Sequence, residues 1–223
     1  MTTISKSPLA LRIQAILDEK SMLKHPFYRA WSEGTLPMER MQEYARQYYH
    51  FEAAFPRWLS AIHTRTESAE VRQVLLENLW DEEHGDRNHR LLWLDYAAAI
   101  GVPADDVTGA TLRPETQALI DHYQAASEKA PLGEALATLY AYEGQVPPIA
   151  WQKIKGLSDY YGLQPHQFEF FSVHLVADVA HSGHEMAAIE QSSADEERVV
   201  AAASAACDRL LGFLDGCNAE DAA

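Results

Sequence analysis

The segment His174-Leu175-Val176-Ala177-Asp178-Val179-Ala180-His181 places three metal-ligating side chains at i, i+4 and i+7. On an α-helix those offsets share one face, because a turn takes about 3.6 residues. A strand would send His174 and His181 to opposite faces. Phe170, Phe171, Leu175, Val176 and Val179 surround the row, so the helix reads as buried. A single histidine on such a face is ordinarily a satisfied core residue. Two imidazoles flanking a carboxylate are costly to bury unless something pairs with them. A metal reading therefore requires a second, facing set of ligands.

The chain supplies one. Glu82 and His89 lie on one helical stripe in Glu82-Glu83-His84-Gly85-Asp86-Arg87-Asn88-His89, and the stripe continues through Leu75, Leu79 and Trp93. Glu143 is a lone carboxylate in the apolar segment Leu139-Tyr140-Ala141-Tyr142-Glu143-Gly144-Gln145. Helical bundles that hold two iron or manganese ions use carboxylates on some helices and carboxylate-x-x-His on others. Asp178-x-x-His181 has that form. So does Asp86-x-x-His89, and the residues alone leave Glu82 and Asp86 as rival partners of His89. Nitrogen and oxygen ligands without thiolates suit iron or manganese with open positions, and zinc also accepts them.

The elements that must carry these residues all read as helices, since no alternating run persists long enough for a strand. Ser7 caps a first helix to about Lys20, with Leu9, Ile13 and Ile16 inward. A short aromatic helix over His25–Trp31 ends near Gly34. Thr35 caps the next, with Pro37 in its first turn, Met41, Tyr44, Tyr48, Tyr49, Phe51 and Phe55 along it, and a kink at Pro56. Ser68 opens the helix through Glu82 and His89 to Gly101-Val102-Pro103, with Gly85 inside it at a cost of about 1 kcal/mol, where a distorted turn would help those two side chains, roughly 10 Å apart along the axis, converge on one cluster. A loop of Pro, Asp and Thr precedes a helix from about Pro114 to Lys129. The Glu143 helix is expected to bend sharply at Pro147-Pro148 and run to Gly156. The His174 helix ends near Gln191, and a last helix covers about 194–215. The expectation is one all-α domain, residues 1–223, of seven to eight helices.

Length and charge narrow the function classes. A chain of 223 residues with 47% hydrophobic content can bury a large core. Its net charge of −15 argues against nucleic acid and anionic membrane as partners, because both need a basic face. Cys207 and Cys217 are the two cysteines, too far apart on one helix to bridge, and they look peripheral. With no apolar run of membrane-spanning length, the expected location is the cytoplasm.

Glu-x6-His, a lone Glu and then His-x3-Asp-x2-His resemble the heme-oxygenase-like dimetal oxidase family. The similarity is closer to its p-aminobenzoate-forming branch and spans nearly the whole chain. The stretches that carry it include His25-Pro26-Phe27-Tyr28-x-x-Trp31, Tyr44-Ala45-x-x-Tyr48-Tyr49 and Ala54-Phe55-Pro56-Arg57. Asp81-Glu82-Glu83 with Asn88-His89, Tyr142-Glu143-x-Gln145-Val146-Pro147, Lys153-Ile154-x-Gly156-Leu157 and Ala177-Asp178-Val179-x-His181 follow in order. None is specific alone; together, at matching spacing, they are.

The resemblance implies a heme-oxygenase-like helical fold and two metal ions, Fe/Fe or Mn/Fe, on Glu82, His89, Glu143, His174, Asp178 and His181. It decides for Glu82 over Asp86, because relatives lack a carboxylate at the latter position. It also implies a self-sacrificing reaction, in which an internal tyrosine supplies the p-aminobenzoate ring for folate biosynthesis and an internal lysine the amino group. Those positions fall on Tyr28 and Lys153, with Tyr44 and Tyr142 at further tyrosine positions near the cluster. Phe170 stands where the relative has tyrosine. O2 and an external reductant are the implied co-substrates, no external organic substrate is needed, and a homodimer is expected. The competing readings are a dimetal oxidase acting on an external small molecule, a cofactor-free quinone-synthesis oxidase and a death-domain-type interaction protein. A thiaminase on the same scaffold would require a catalytic cysteine in the core.

Overall fold

The computed structural model describes residues 7–192 and 195–219, and within them the side chains of all but 176–180. Among the described residues there are only helices, turns and bends, as the sequence periodicity requires. The helices are α1 Pro8–Glu19, α2 Pro26–Glu33, α3 Met38–Arg65, α4 Ala69–Glu83, α5 His89–Ala99 and α6 Ala104–Thr108. They continue with α7 Pro114–Lys129, α8 Leu132–Glu143, α9 Val146–Asp159, α10 Glu169–Ser192 and α11 Glu196–Asn218. Single 3-10 turns cover Met22–Lys24 and Pro165–Gln167.

The expected caps at both ends of the N-terminal half are present. Ser7 Oγ accepts from Ala10 N at 3.1 Å, and Ser68 Oγ accepts from Val71 N at 3.3 Å, each satisfying a first-turn amide. The third helix differs: Pro37 itself is the N-cap and Thr35 lies outside the helix, its hydroxyl turned back to Ala30 O. That helix continues unbroken through Pro56.

The helix count exceeds the expected seven to eight because expected helices divide. The helix expected through Glu82 and His89, with a distorted turn at Gly85, is two helices. Gly85 takes φ 83°, a left-handed conformation that halts α4, and Asn88 restarts the chain by accepting from Leu91 N at 3.1 Å. The second division falls at Gly144-Gln145, so Glu143 is the last residue of α8. Pro147 and Pro148 lie in the first turn of α9, where a missing amide costs nothing, and do not bend a running helix. The expected loop after Pro103 contains the short α6.

Packing puts the aromatic residues between helices. The α3 helix lies against α4, α5 and α7, α10 lies against α8 and α9, and α11 covers α7, α8 and α1. Trp31, Tyr44, Trp93, Tyr96 and Phe171 are each at most 1–2% exposed and mutually in ring contact. Close approach of α2 to α9 depends on Gly156, where a Cβ would sit 2.8 Å from the Trp31 ring. Trp31 Nε1 donates to the Lys153 carbonyl at 3.3 Å across that contact. This brings Tyr28 of α2 beside Lys153 of α9.

No described helix is long and apolar enough to cross a membrane.

Candidate metal centre

Four buried side chains from four helices converge between α3 and α10. Glu52 of α3, Glu82 of α4, His89 of α5 and His174 of α10 each offer a ligand atom within 4.8 Å of all the others. The break between α4 and α5 makes this possible. On one continuous helix Glu82 and His89 would be separated by about 10 Å along the axis. With the chain turned at Gly85, His89 Nδ1 lies 2.9 Å from Glu82 Oε2. His89 Nδ1 is nonetheless buried without an aligned hydrogen bond.

The other members fit an ion equally well. His174 Nδ1 lies 2.7 Å from Phe170 O, and since a carbonyl can only accept, Nδ1 carries the proton. That hydrogen bond fixes the tautomer and leaves the Nε2 lone pair to a ligand, the usual support of a metal-bound imidazole. Glu52 Oε2 accepts from Tyr48 Oη at 2.9 Å, while buried Oε1 accepts no hydrogen bond. Burial, and then the Glu82 carboxylate, hold the Glu52 carboxyl well above its ordinary range. Burial, and then His89, hold the His174 imidazole well below its own. Two carboxyl groups, two imidazoles and unsatisfied buried atoms suit iron or manganese, so the residues fit the metal that the ligand spacing implied.

The remaining expected ligands have other partners. Asn78 Nδ2 of α4 donates to Glu143 Oε1 at 2.8 Å, and Glu143 lies outside the group of four. His181 Nε2 donates to Asp81 Oδ2 at 3.0 Å, on the wall of a surface groove of about 650 Å³ with Trp80 and His184. Asp178 lies outside the residues whose side chains are described. Glu185, one turn past His181, is completely buried. Asp86 is exposed on the turn between α4 and α5, away from the cluster.

Glu52 was not among the sequence candidates. Its signal was the one that marked Glu143, a lone carboxylate in a run of aromatics, here Tyr48 to Phe55.

A second group sits beside the first. Lys153, ordinarily a surface residue type, is 6% exposed, and its Nζ donates to Tyr44 Oη at 2.7 Å. Tyr44 Oη is 3.0 Å from Tyr28 Oη, and Lys153 Nζ stands 4.9 Å from the Tyr28 ring centre. Burial holds the Lys153 ammonium well below the usual lysine range, so a neutral amine is favoured. Burial raises the Tyr28 phenol, partly opposed by the Tyr44 hydrogen bond. Tyr142 Oη and Tyr48 Oη share a short hydrogen bond, and the Tyr48 ring stacks on Tyr44 at 5.5 Å. Phe170 packs on His174 at 4.1 Å between ring centres and has no hydroxyl to join this network.

The four-residue group separates two spaces. An outer cleft of about 180 Å³ is lined by Glu52, Glu82, Glu83, Asn88 and Arg90. An inner cavity of about 20 Å³ is lined by His174, Tyr28, Tyr44, Tyr48, Tyr142 and Lys153, among others.

Both cysteines are buried, which corrects the expectation that they are peripheral. Burial pushes the Cys207 thiol up to about 12 and raises Cys217 as well, so neither is a ready thiolate.

Residues 42–211 match the family described as "Iron-containing redox enzyme". The chain is 41% identical to a 4-aminobenzoate synthase of Nitrosomonas europaea, over 92% of this chain and 89% of the relative. It is 39% identical to a 4-aminobenzoate synthase of Chlamydia muridarum, over 92% of this chain and 87% of the relative. A crystal structure of a TenA homolog from Pseudomonas syringae pv. tomato superposes with TM-score 0.84 at 18% identity, covering 95% of this chain and 93% of that one. At that identity the last likeness speaks for the fold alone.

Proposed function

The chain belongs to the iron-containing redox enzyme family, and on that footing we propose that it is an oxygenase that makes 4-aminobenzoate from its own Tyr28, with Lys153 as amino donor. The observation that carries this reading is the inner cavity. Its volume of about 20 Å³ has room for little more than one water, which occupies about 10–15 Å³ on this measure. Sites for external organic ligands run to about 300 Å³ and more. A phenol ring and an amine are already built into the wall, so the substrate need not enter.

Glu82, His89, Glu143, His174, Asp178 and His181 would hold the metal pair, the first, second and fourth of them from the convergent group. Two bound ions, Fe/Fe or Mn/Fe, supply O2 activation with an external reductant. The chain's own residues supply position and proton control. In 4-aminobenzoate the nitrogen is para to the carboxyl, and in tyrosine the hydroxyl is para to Cβ. Keeping Cβ as the carboxyl carbon therefore assigns the nitrogen to the ring carbon that bears the Tyr28 hydroxyl. The Cα–Cβ bond of Tyr28, its ring carbon–Oη bond and the Cε–Nζ bond of Lys153 must break, a bond from Nζ to that ring carbon must form, the phenol oxygen leaves as water, and O2 is the oxidant that takes Cβ to the carboxyl level. Burial favours the neutral amine, the form that can act as nucleophile. Tyr44 Oη, hydrogen-bonded to both the amine and the phenol, can hold or pass the proton between them. Reactants fixed in one protein reach effective concentrations no free substrate attains.

Mass spectrometry of the protein before and after treatment with iron, reductant and O2 tests the reading. The expected result is mass loss confined to Tyr28 and Lys153, with 4-aminobenzoate in the supernatant and none from Tyr28→Phe. Consumption of O2 with Tyr28 intact would sink it and point to an external substrate.

A further inference from the structure

We propose that Glu52 is a metal ligand in this chain and that, with Glu82, His89 and His174, it completes a one-ion site that loads without Glu143, Asp178 or His181. The inference rests on the metal-centre reading above and adds a donor outside the set expected from spacing. Ligand atoms about 2.1 Å from a shared ion lie no more than about 4.2 Å apart. Donor atoms within 4.8 Å of one another need only a small contraction to reach that geometry. The four residues come from four different helices, and each is at most 6% exposed.

Glu52 has the marks of a ligand and not only of a hydrogen-bond acceptor. Its Oε2 accepts from Tyr48, but its buried Oε1 accepts nothing and faces a cluster that already holds a second carboxylate. Burying two carboxylates together is unfavourable unless a proton or a cation joins them, and a cation can replace the proton that burial otherwise favours on Glu52. Access is also provided. Glu52 and Glu82 are both on the wall of the outer cleft, so an ion from solvent meets two ligands without opening the fold. On the opposite side His174 faces the inner cavity, and Tyr48 links the Glu52 carboxylate to the stacked Tyr44 ring. One ion at this site would lie between the solvent cleft and the tyrosines.

The discriminating substitution is Glu52→Gln. Glutamine keeps an oxygen that can accept from Tyr48, so a role limited to that hydrogen bond survives, while the charged ligand does not. Metal-free protein is titrated anaerobically with Mn2+ by calorimetry and with Co2+ by visible absorption. The wild-type chain should bind a first ion that Glu52→Gln weakens about 10-fold or more, with altered Co2+ bands. Glu143→Gln should leave that first ion within about threefold of wild type. A first ion bound equally well by wild type and Glu52→Gln, with the same Co2+ bands, overturns the assignment. A first ion lost as severely in Glu143→Gln overturns the self-sufficiency of the site.

Wild-type crystals soaked in Mn2+ answer the same question if the variant fails to fold. Anomalous density within about 2.5 Å of a Glu52 oxygen supports the proposal, and an ion bound by the other three with Glu52 beyond about 3 Å defeats it. Aminobenzoate release, assayed in parallel, separates the two readings. Product from a protein indifferent to Glu52 defeats this inference alone. An ion on Glu52 with no product defeats the proposed function alone.

Discussion

Glu82, His89 and His174 stand within reach of one another, whereas Glu143 and His181 are each tied to a different side chain of α4. The first region is enclosed by aromatic rings. Trp93 is wholly buried, 4.3 Å from Tyr48 and 4.8 Å from Phe170 between ring centres. In the second, Glu143 is buried against Asn78, while His181 lies on a groove where Trp80 is 59% exposed and stacks on His84. Glu52 Oε1 accepts no aligned hydrogen bond and faces a second carboxylate, so an arriving ion relieves a crowded pair. His181 Nε2, which donates to Asp81, must give up that partner before it can take an ion. The difference teaches that ligand spacing on a helix reports which side chains can meet an ion, and packing decides which are already waiting for it.

Three measurements bear on this contrast. The largest effect concerns packing. Trp93→Ala should destabilise the fold by about 3–5 kcal/mol in chemical denaturation, through the cavity left among Tyr44, Tyr48 and Phe170. Trp80→Ala should change stability by no more than about 0.5 kcal/mol. Equal losses would mean that the two regions are equally packed. Next comes metal affinity. His174→Ala should weaken the first Mn2+ ion by about 100-fold in anaerobic calorimetry, because a ligand is lost outright. His181→Ala should leave it within about threefold. A comparable loss in both would erase the distinction between the regions.

The smallest effect concerns Lys153, the buried amine beside the enclosed region. Its folded pKa lies below the unfolded lysine value of about 10.4, so between the two the unfolded chain binds a proton that the fold does not. Stability of the wild type therefore rises with pH across that window. Lys153→Met removes this dependence. It should stabilise the metal-free protein by on the order of 1 kcal/mol at neutral pH, and the gain should shrink as pH approaches about 10.4. A gain that is constant with pH would show that Lys153 is charged inside the fold.

Much of this was legible from residue types. The all-α class followed from apolar periodicity, and Ser7 and Ser68 cap helices where the pattern places them. His174 and Glu82 were identifiable as buried polar groups on apolar stripes. The α4–α5 break was not, although its cause was in view. Gly85 was legible as a distorted turn within one helix, and the structure goes further: its positive φ ends α4 and brings His89 back to Glu82. Glu52 carries the same lone-carboxylate signal as Glu143, but α3 has no second ligand at helical spacing to reinforce it. Lys153 illustrates the same limit, since its burial depends on α2, α3 and α10 closing over α9.

By itself the amino-acid sequence determined which residues share a helix face, because that is set by a local repeat of about 3.6 residues. It determined the acidic charge, the Ser7 and Ser68 caps and the family. Only the tertiary structure decided that four donors from α3, α4, α5 and α10 meet, that Lys153 faces Tyr28 and that the space between them is too small for an external ring. These are distances between segments far apart in the chain. They arise from how buried aromatic surfaces fit together, which no single helix encodes.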